Sequence, residues 1–267
     1  MNPRAKRKLD EFFGTLPVAS RSLLLLDYDG TLAGFRVDRF KATPWAGVAD
    51  LLARIQEQGT TRIVVITGRP AEEIPRLIGL DPAPEVWGLH GSERLYPDGR
   101  REQEKPSPQA QANLEELRQR LKRDAFGGLF EDKANAAVMH WRGQSPRVAK
   151  EIERRTRELF EPLAKLDGLC LLRFESGLEL RAGRDKGGAV RAILREAGED
   201  VPVSYLGDDV TDEAAFVAVN EARAPHLSVL MRRERRRTAA DVWMKPPDDL
   251  RRFLRRWLEA RTPNAKS

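Results

Sequence analysis

The sequence predicts an α/β fold in which a doubly wound parallel sheet forms the core and a smaller α+β domain is inserted into it. Two observations carry this prediction. Short apolar runs alternate with helical patterns along most of the chain, as expected for strands buried on both faces of a parallel sheet. Between about residues 105 and 183 the order changes to helix, hairpin, helix, hairpin, which is typical of an antiparallel sheet with helices on one face.

The core strands are predicted where apolar runs are bounded by polar residues. These runs lie at residues 23–26, 62–66, 85–88, 203–206 and 227–230. After the first strand, the apolar stripe at residues 48–55 predicts a helix that Thr43 caps, with Pro44 in its first turn and Gly59 after its end. A later helix is expected to begin at Thr211.

The inserted segment contains two predicted helices, each followed by two strand-like stretches. The helices lie around residues 114–121 and 148–163, and the strands at 128–133, 136–141, 169–175 and 178–181. We therefore assign residues 1–104 and 184–267 to the core and residues 105–183 to a cap domain. The face of the cap sheet opposite its helices is expected to cover the active site.

Composition favours a soluble, cytoplasmic protein. The chain has 267 residues, a net charge of +6 and a single cysteine, Cys170, in an apolar run, so a buried thiol and no internal disulfide are expected. The basic N-terminal residues precede no apolar stretch of signal-peptide or membrane-span length. The densest basic run, residues 232–237, contains no aromatic side chains. We expect it to be a solvated surface segment, and we expect a monomer with no nucleic-acid or membrane partner.

Five carboxylates follow two of the predicted buried strands. Asp27 and Asp29 come directly after the first strand, and Asp208, Asp209 and Asp212 follow the fourth. Ligands of open parallel sheets bind beyond the carboxyl ends of the strands, so these acids are expected at one edge. Their mutual repulsion calls for a hard divalent cation with oxygen ligands. The sequence therefore predicts a Mg²⁺ site.

Groups suited to a phosphate lie in two other places. Thr67, Gly68 and Arg69 follow the second strand and offer a hydroxyl and backbone N–H groups at a predicted helix start, so we treat them as candidate phosphate-binding residues. Lys186, at the start of a later helix, offers a positive charge for a transferred phosphoryl group.

Four motifs follow one another along the chain, each at a predicted strand end or helix start: Asp27 with Asp29, then Thr67 to Arg69, then Lys186, then Asp208 to Asp212. Together they resemble the motifs of the haloacid dehalogenase superfamily of phosphohydrolases. The resemblance implies that Asp27 attacks phosphorus, and that Asp29 protonates the leaving oxygen and then deprotonates water. It also implies that Thr67 and Lys186 hold the phosphoryl oxygens.

For the metal, the same resemblance assigns Asp208, the nucleophile Asp27 and the main-chain carbonyl of Asp29 to Mg²⁺. Asp209 and Asp212 match positions that either bind the metal directly or hold its ligands, and the sequence leaves this choice open.

Within the superfamily, the chain most resembles the trehalose-6-phosphate phosphatase family over nearly its full length. The most specific match is the segment GDDVTDEAAF at residues 207–216. Residues 88–91 resemble the family's Gly-x-His-Gly turn. The family's cap signature is resembled by residues 130–133 followed by residues 140–142.

The resemblance also points to a sugar-binding pair in the cap, Glu131 and Lys133. They alternate along a predicted strand and can therefore point to one face, where acid and amine groups suit sugar hydroxyls. Glu179 is either a further sugar ligand or half of a salt bridge. His140 and Arg142 are further substrate-binding candidates. Arg142 fits either a substrate contact or a structural role, whereas the absence of metal-ligand spacing favours a structural or hydrogen-bonding role for His140.

The implied function is Mg²⁺-dependent hydrolysis of trehalose 6-phosphate to trehalose and phosphate through an aspartyl-phosphate intermediate. The alternatives are another capped sugar-phosphate phosphatase, acting on sucrose phosphate or on mannosyl- or glucosyl-phosphoglycerate, and a non-catalytic sugar-phosphate sensor. A sensor should lack an essential acid or lysine, and this chain keeps them. Functional pairing with a trehalose-phosphate synthase is also implied. Trp141 stands where the family usually has Tyr, and Asp132 stands where the family often has Asn.

Overall fold

The predicted alternation of strands and helices is present in the computed structural model. It describes residues 2–123, 127–133, 135–166, 168–174 and 176–262. The strands are β1 Ser22–Leu26, β2 Thr61–Ile66, β3 Glu85–Gly88, β4 Glu93–Leu95, β5 Arg101–Gln103, β6 Phe130–Lys133, β7 Ala136–His140, β8 Leu169–Phe174, β9 Gly177–Ala182, β10 Val203–Gly207, β11 His226–Met231 and β12 Val242–Met244. The helices are α1 Pro3–Thr15, α2 Val48–Glu57, α3 Glu73–Ile78, α4 Pro108–Arg123, α5 Pro146–Leu163, α6 Lys186–Ala197, α7 Glu213–Asn220 and α8 Asp248–Arg261.

The main sheet has eight strands in the order β12-β11-β10-β1-β2-β3-β4-β5. The first six strands of this order pair in parallel, and β4 and β5 join antiparallel. All five predicted apolar runs are parallel strands of this sheet. The sequence did not predict β4, β5 or β12, because each has three residues, which is too short for a periodic pattern to stand out.

Helices cover both faces of the main sheet. On one face, Leu9 of α1, Leu52 of α2 and Trp257 of α8 belong to one buried apolar cluster. On the other face, Ile193 of α6 and Phe216 of α7 belong to a second cluster. This arrangement confirms the predicted doubly wound core.

The predicted start of α2 is wrong. The helix begins at Val48, with Gly47 in the left-handed region at its N-cap (φ 76°), and not after Thr43. Pro44 pairs instead in an antiparallel bridge with Ala33, and Trp45 N–H donates to Leu32 O at 2.9 Å. These tertiary contacts hold the chain before Gly47 extended and delay the helix.

A second, four-stranded antiparallel sheet has the order β6-β7-β9-β8. Leu114 of α4 and Phe160 of α5 share a buried cluster with Met139 of β7 and Leu180 of β9, so both helices pack on one face of this sheet. The strand predicted over residues 169–175 is β8, and its predicted last residue, Glu175, lies outside the described residues.

The chain divides into two compact units. One comprises Met1–Gln103 with Lys186–Ser267, and the other is Glu104–Asp185. The sequence-based boundaries, after residue 104 and before residue 184, differ from these limits by one and two residues. Among the helices that the structure describes, none combines the length and apolarity required of a membrane span.

Candidate active site

The end of β1 places Asp27 at the centre of the main sheet. β1 lies between β10 and β2, and Asp27 N–H donates to Leu206 O at 2.8 Å, which extends the strand pairing up to this residue. Tyr28 is fully buried, and its hydroxyl donates to Ala42 O at 2.7 Å. The backbone that carries Asp27 and Asp29 is therefore anchored from both sides, and Asp27 is only 3% exposed.

Two glycines let carboxylates approach the backbone closely. A Cβ on Gly30, which has φ 83°, would lie 2.0 Å from Oδ2 of Asp208. A Cβ on Gly207 would lie 2.4 Å from Cγ of Asp212. Any larger residue at either position would displace an acid, which explains the glycine in each of the two predicted motifs.

Lys186 is the first residue of α6, and its ammonium lies between two of these acids. Its Nζ donates to Oδ1 of Asp27 at 2.7 Å and to Oδ1 of Asp212 at 2.7 Å. The lysine is 3% exposed. Burial lowers the pKa of Lys186, but the carboxylates of Asp212 and Asp27 outweigh burial and raise the pKa above its usual value, so the amine stays charged.

Asp27, Asp208 and Asp212 form a buried acidic triad, in which one carboxylate oxygen from each acid lies within 4.8 Å of the other two. Burial raises the pKa of Asp27 to about 7, an effect that Lys186 opposes and Asp212 reinforces. Burial also raises the pKa of Asp208 to about 9, with further contributions from Asp27 and Asp212. An all-oxygen donor set with excess negative charge fits a hard divalent cation such as Mg²⁺.

Asp212 differs from the other two acids because both of its oxygens already accept hydrogen bonds. Oδ1 accepts from Lys186 Nζ at 2.7 Å and from Tyr205 Oη at 2.6 Å. Oδ2 accepts from the backbone N–H groups of Asp208 and Asp209, each at 2.9 Å. A carboxylate has about four lone-pair sites, so Asp212 would have to give up a hydrogen bond to bind a metal directly.

The turn after β2 brings Thr67, Gly68 and Arg69 together, but not at a helix start as predicted. The helix α3 begins only at Glu73. Thr67 is 1% exposed, and its Oγ1 accepts a hydrogen bond from Arg69 N–H at 3.2 Å. The ring of His90 packs over Gly68, where an added Cβ would lie 2.8 Å from Cε1 of the imidazole.

Arg69 binds the second acid of the β1 motif, a contact that sequence reasoning missed. Its Nε and Nη2 donate to Oδ2 and Oδ1 of Asp29 at 2.6 and 2.7 Å, and its Nη1 donates to Arg39 O at 2.7 Å. The side chain is 9% exposed. The guanidinium therefore orients Asp29, and the substrate contact expected of Arg69 stays a prediction.

The sequence predicts a solvated surface segment at residues 232–237, but two arginines of this basic run also contact the turn after β10. Arg236 donates to the backbone carbonyl of Asp209 at 2.6 Å and pairs with Glu213. Arg232 donates to the carbonyl of Asp208 at 3.4 Å. The run thus holds the turn after β10 from outside. No signal in the sequence distinguishes these two arginines from their neighbours.

A cavity of about 470 Å³ opens beside Gly30 and Asp208. Trp45, Met231 and Arg232 are among the residues that line it. Asp208 lines this cavity although it is only 5% exposed, so small species from solvent can reach this acid through the cavity.

The smaller unit carries a separate charged cluster, formed by Glu131, Lys133, His140 and Glu179 and here called the cap cluster. His140 Nε2 lies 2.8 Å from Glu131 Oε2, and Lys133 Nζ lies 3.3 Å from Glu179 Oε2 and 3.9 Å from Glu131 Oε2. Glu179 also lies 3.8 Å from Arg181 along β9. Both readings of Glu179 thus remain compatible with its position, since it makes salt bridges within the cluster of candidate sugar ligands.

Asp132 shows which face of the cap sheet the cluster occupies. Between Glu131 and Lys133 on β6, Asp132 pairs with Arg118 and Lys122 of α4, at 2.9 and 2.7 Å. Because strand side chains alternate, the cap cluster lies on the face opposite α4 and α5. Arg142, two residues after β7, is exposed.

Comparison with known proteins agrees with this geometry. A model of the trehalose-phosphatase family matches residues 25–244. A trehalose-phosphate phosphatase of Mycobacterium marinum is 31% identical over 212 residues, which cover 74% of this chain and 52% of the relative. A bifunctional trehalose-6-phosphate synthase/phosphatase of Thermoproteus tenax is 30% identical over 213 residues, covering 78% of this chain and 28% of that protein. The chain thus spans about half the length of the mycobacterial relative.

Solved structures share the fold. The trehalose-6-phosphate phosphatase of Aspergillus fumigatus superimposes with a TM-score of 0.76 at 23% identity, covering 94% of this chain and 97% of that one. A haloacid dehalogenase-like hydrolase of B. subtilis gives a TM-score of 0.58 at 16% identity, covering 84% and 94%. The family match spans most of the chain and contains the acidic triad, Lys186 and the cap cluster. The chain therefore belongs to the trehalose-phosphatase family.

Proposed function

We propose that this chain is a Mg²⁺-dependent phosphatase that hydrolyses trehalose 6-phosphate through an aspartyl-phosphate intermediate on Asp27. The observation that carries the proposal is the position of Asp27, one of whose carboxylate oxygens lies 2.7 Å from the buried Lys186 ammonium. Lys186 supplies positive charge beside the nucleophile, which a dianionic phosphate requires before a carboxylate can attack it.

In the first step, a carboxylate oxygen of Asp27 forms a bond to phosphorus, and the bond from phosphorus to the sugar oxygen breaks. Asp29 gives its proton to that sugar oxygen, so trehalose leaves as the neutral alcohol. Lys186 and Thr67 hold the phosphoryl oxygens. Since Arg69 holds both oxygens of Asp29, proton transfer by Asp29 requires at least one of these hydrogen bonds to be released.

In the second step, Asp29 takes a proton from water while the water oxygen bonds to phosphorus. The bond between phosphorus and Asp27 breaks, which releases inorganic phosphate and restores the free carboxylate. One acid therefore serves as proton donor and then as proton acceptor. The orientation imposed by Arg69 keeps Asp29 on the same side of Asp27 for both transfers.

Asp27, Asp208 and the main-chain carbonyl of Asp29 would hold Mg²⁺. When bound, the ion neutralises negative charge on the phosphoryl group. Asp212 is better suited to hold Lys186 and the turn after β10, because its four acceptor sites are occupied. Asp209 would act through its backbone, whose N–H donates to Asp212 and whose carbonyl accepts from Arg236.

The cap cluster is the proposed sugar-binding surface. Glu131, Lys133, His140 and Glu179 combine acceptors and donors on one face of the cap sheet, as recognition of a polyhydroxylated ligand requires. Arg142 is a further candidate for the sugar. Because the Thermoproteus tenax relative is a bifunctional synthase/phosphatase, we also propose that the phosphatase acts together with a trehalose-phosphate synthase.

A phosphate-release screen tests the proposal. Trehalose 6-phosphate, sucrose phosphate, mannosyl- and glucosyl-phosphoglycerate and glucose 6-phosphate would be compared, each with and without Mg²⁺. The proposal predicts the highest kcat/KM for trehalose 6-phosphate and no release in chelator. A higher kcat/KM for another sugar phosphate would reassign the substrate. Full activity in chelator would refute the requirement for Mg²⁺.

A further inference from the structure

Tyr205 is a fully buried tyrosine on β10 whose hydroxyl contacts Asp212, an acid of the candidate active site. Its ring packs edge-on against Phe216, with ring centres 5.7 Å apart. A phenylalanine would fill the same space. Burial of a hydroxyl is costly unless it is hydrogen-bonded, and this one donates to Oδ1 of Asp212 at 2.6 Å. The hydroxyl, and not the ring, therefore needs an explanation.

The oxygen that accepts from Tyr205 also accepts from Lys186. Nζ of Lys186 is shared between Oδ1 of Asp212 and Oδ1 of Asp27, at 2.7 Å from each. The three side chains Tyr205, Asp212 and Lys186 therefore form a continuous hydrogen-bonded chain that ends on Asp27. Each link is buried, and bonds of this kind polarise one another in a low-dielectric interior.

Removal of the hydroxyl would change how Asp212 competes for the ammonium. Without the hydrogen bond from Tyr205, the charge on Oδ1 of Asp212 is less neutralised and attracts Lys186 more strongly. Oδ2 stays held by the backbone N–H groups of Asp208 and Asp209, so the change is confined to Oδ1. It draws the ammonium away from Asp27 and from the phosphoryl oxygens that it would hold.

We propose that Tyr205 is a positioning residue for the reaction, whose hydroxyl fixes the Asp212 carboxylate and thereby keeps the Lys186 ammonium against Asp27. The inference rests on the proposed function, in which Lys186 holds the phosphoryl group. Tyr205 touches neither substrate nor metal and acts through Asp212.

Ser204, the preceding residue on β10, offers a matched control. It is also fully buried, and its hydroxyl donates to Leu227 O at 2.9 Å. Ser204→Ala therefore deletes a buried hydroxyl hydrogen bond from the same strand without touching Asp212. Thermal melting of both variants measures the structural cost that they share.

Steady-state kinetics with trehalose 6-phosphate and saturating Mg²⁺ separate the two roles. For Tyr205→Phe, we expect kcat to fall about tenfold, the lower end for a lost hydrogen bond to a charged group, with KM unchanged. Ser204→Ala should keep the wild-type kcat. Equal kcat values for the two variants, or a rise in KM alone for Tyr205→Phe, would overturn the inference.

A crystal structure of Tyr205→Phe tests the inference without relying on turnover. We expect Lys186 Nζ to remain on Asp212 and to move beyond hydrogen-bond distance of Asp27. An ammonium that stays 2.7 Å from both acids, as in the wild type, would overturn the proposal. Absence of phosphate release by the wild-type protein would instead refute the proposed function and leave this structural test in force.

Discussion

Two charge clusters lie at opposite ends of the strands of the main sheet. At the carboxyl end, Asp27 and Asp212 bind Lys186 and form the acidic triad with Asp208. At the amino end, where β2 and β3 begin, two carboxylates meet two guanidinium groups. The members of this second cluster, here called the structural cluster, are Arg62, Glu85, Arg94 and Glu196.

The structural cluster is balanced in charge, and its acids are well paired. Glu85 accepts from Arg62 at 2.7 Å and from Arg94 at 2.8 Å, and Glu196 accepts from Arg94 at 2.6 Å. Burial opposes ionisation of Glu196, but the hydrogen bonds from Arg94 and Arg62 outweigh it and lower the pKa of Glu196. In the acidic triad the same force, burial, raises the pKa of Asp27 and Asp208. Deeper burial together with uncompensated negative charge therefore distinguishes the candidate active site.

The largest expected effect is that of Asp27→Asn. Loss of the nucleophile should reduce phosphate release by about 10⁴-fold or more. The variant should stay folded, because asparagine keeps the side-chain shape and its amide oxygen can still accept from Lys186. Phosphate-release assays and circular-dichroism melting measure the two outcomes. Substantial turnover by a folded Asp27→Asn protein would refute covalent catalysis by Asp27.

Asp29→Asn should have the next largest effect. Loss of a positioned proton-transfer group costs about 10²–10⁴ in rate. The neutral amide also has one acceptor oxygen and cannot form the two-point ion pair with Arg69. The burst of alcohol release, which reports the first step alone, should fall less with an activated aryl phosphate, whose leaving group needs no proton, than with trehalose 6-phosphate. An equal loss of the burst rate on both substrates would contradict the role of Asp29 as proton donor.

Glu85→Gln should damage stability and not catalysis. Removal of one partner of a buried ion pair costs about 3–5 kcal/mol, and we expect the lower value, about 3 kcal/mol, because Arg62 is partly exposed. A loss of that size lowers Tm by roughly 6–12 °C in a protein of this length. At a temperature where the variant is folded, kcat should match the wild type. A large fall in kcat without a fall in Tm would contradict the distinction between the two clusters.

A smaller effect is expected in the cap cluster. Glu131→Ala or Lys133→Ala should reduce kcat/KM for trehalose 6-phosphate by roughly ten- to a hundredfold, the scale of a lost hydrogen bond to a charged group. A small aryl phosphate, which lacks the sugar, should be hydrolysed at the wild-type rate. Asp132→Ala is the matched control, because Asp132 lies on the same strand and binds α4 instead. Equal losses on both substrates would show that Glu131 and Lys133 do not bind the sugar.

The smallest effect concerns pH. Because the pKa values of Asp27 and Asp208 are raised to about 7 and about 9, these two acids hold more protons in the folded, metal-free protein than in the unfolded chain between about pH 4 and pH 9. Their contribution to the free energy of unfolding should therefore fall as pH rises towards 9. Metal binding requires deprotonated carboxylates, so the rise in Tm on adding Mg²⁺ should be larger at about pH 9 than at about pH 6. An equal rise at both pH values would contradict the assignment of these acids to the metal.

The position of the acidic triad could be predicted from the sequence because it depends on short-range patterns. Asp27 and Asp208 each follow a buried apolar run, and parallel strands end at one edge of a sheet. The alternation of Glu131 and Lys133 along β6 was predictable for the same reason, since side chains on a strand have a fixed period. In these cases the local pattern already contains the geometry.

The contacts that sequence reasoning missed join residues far apart in the chain. Arg69 meets Asp29 across 40 residues, and Arg236 meets Asp209 across 27. Tyr205 reads as one more apolar residue of a buried strand, and nothing local indicates that its hydroxyl meets Asp212. The bridge between Ala33 and Pro44 that delays α2 is equally tertiary. Such partners are set by packing, which overrides local propensity.

Trapping the phosphorylated enzyme tests covalent catalysis by Asp27. The protein would be mixed with trehalose 6-phosphate and Mg²⁺, quenched rapidly in acid, digested and analysed by mass spectrometry. We expect a phosphoryl group on Asp27, present in the wild type and absent in Asp27→Asn and in chelator. Turnover of trehalose 6-phosphate with the phosphoryl group on another residue, or with direct transfer to water and no adduct on Asp27 at any quench time, would contradict it.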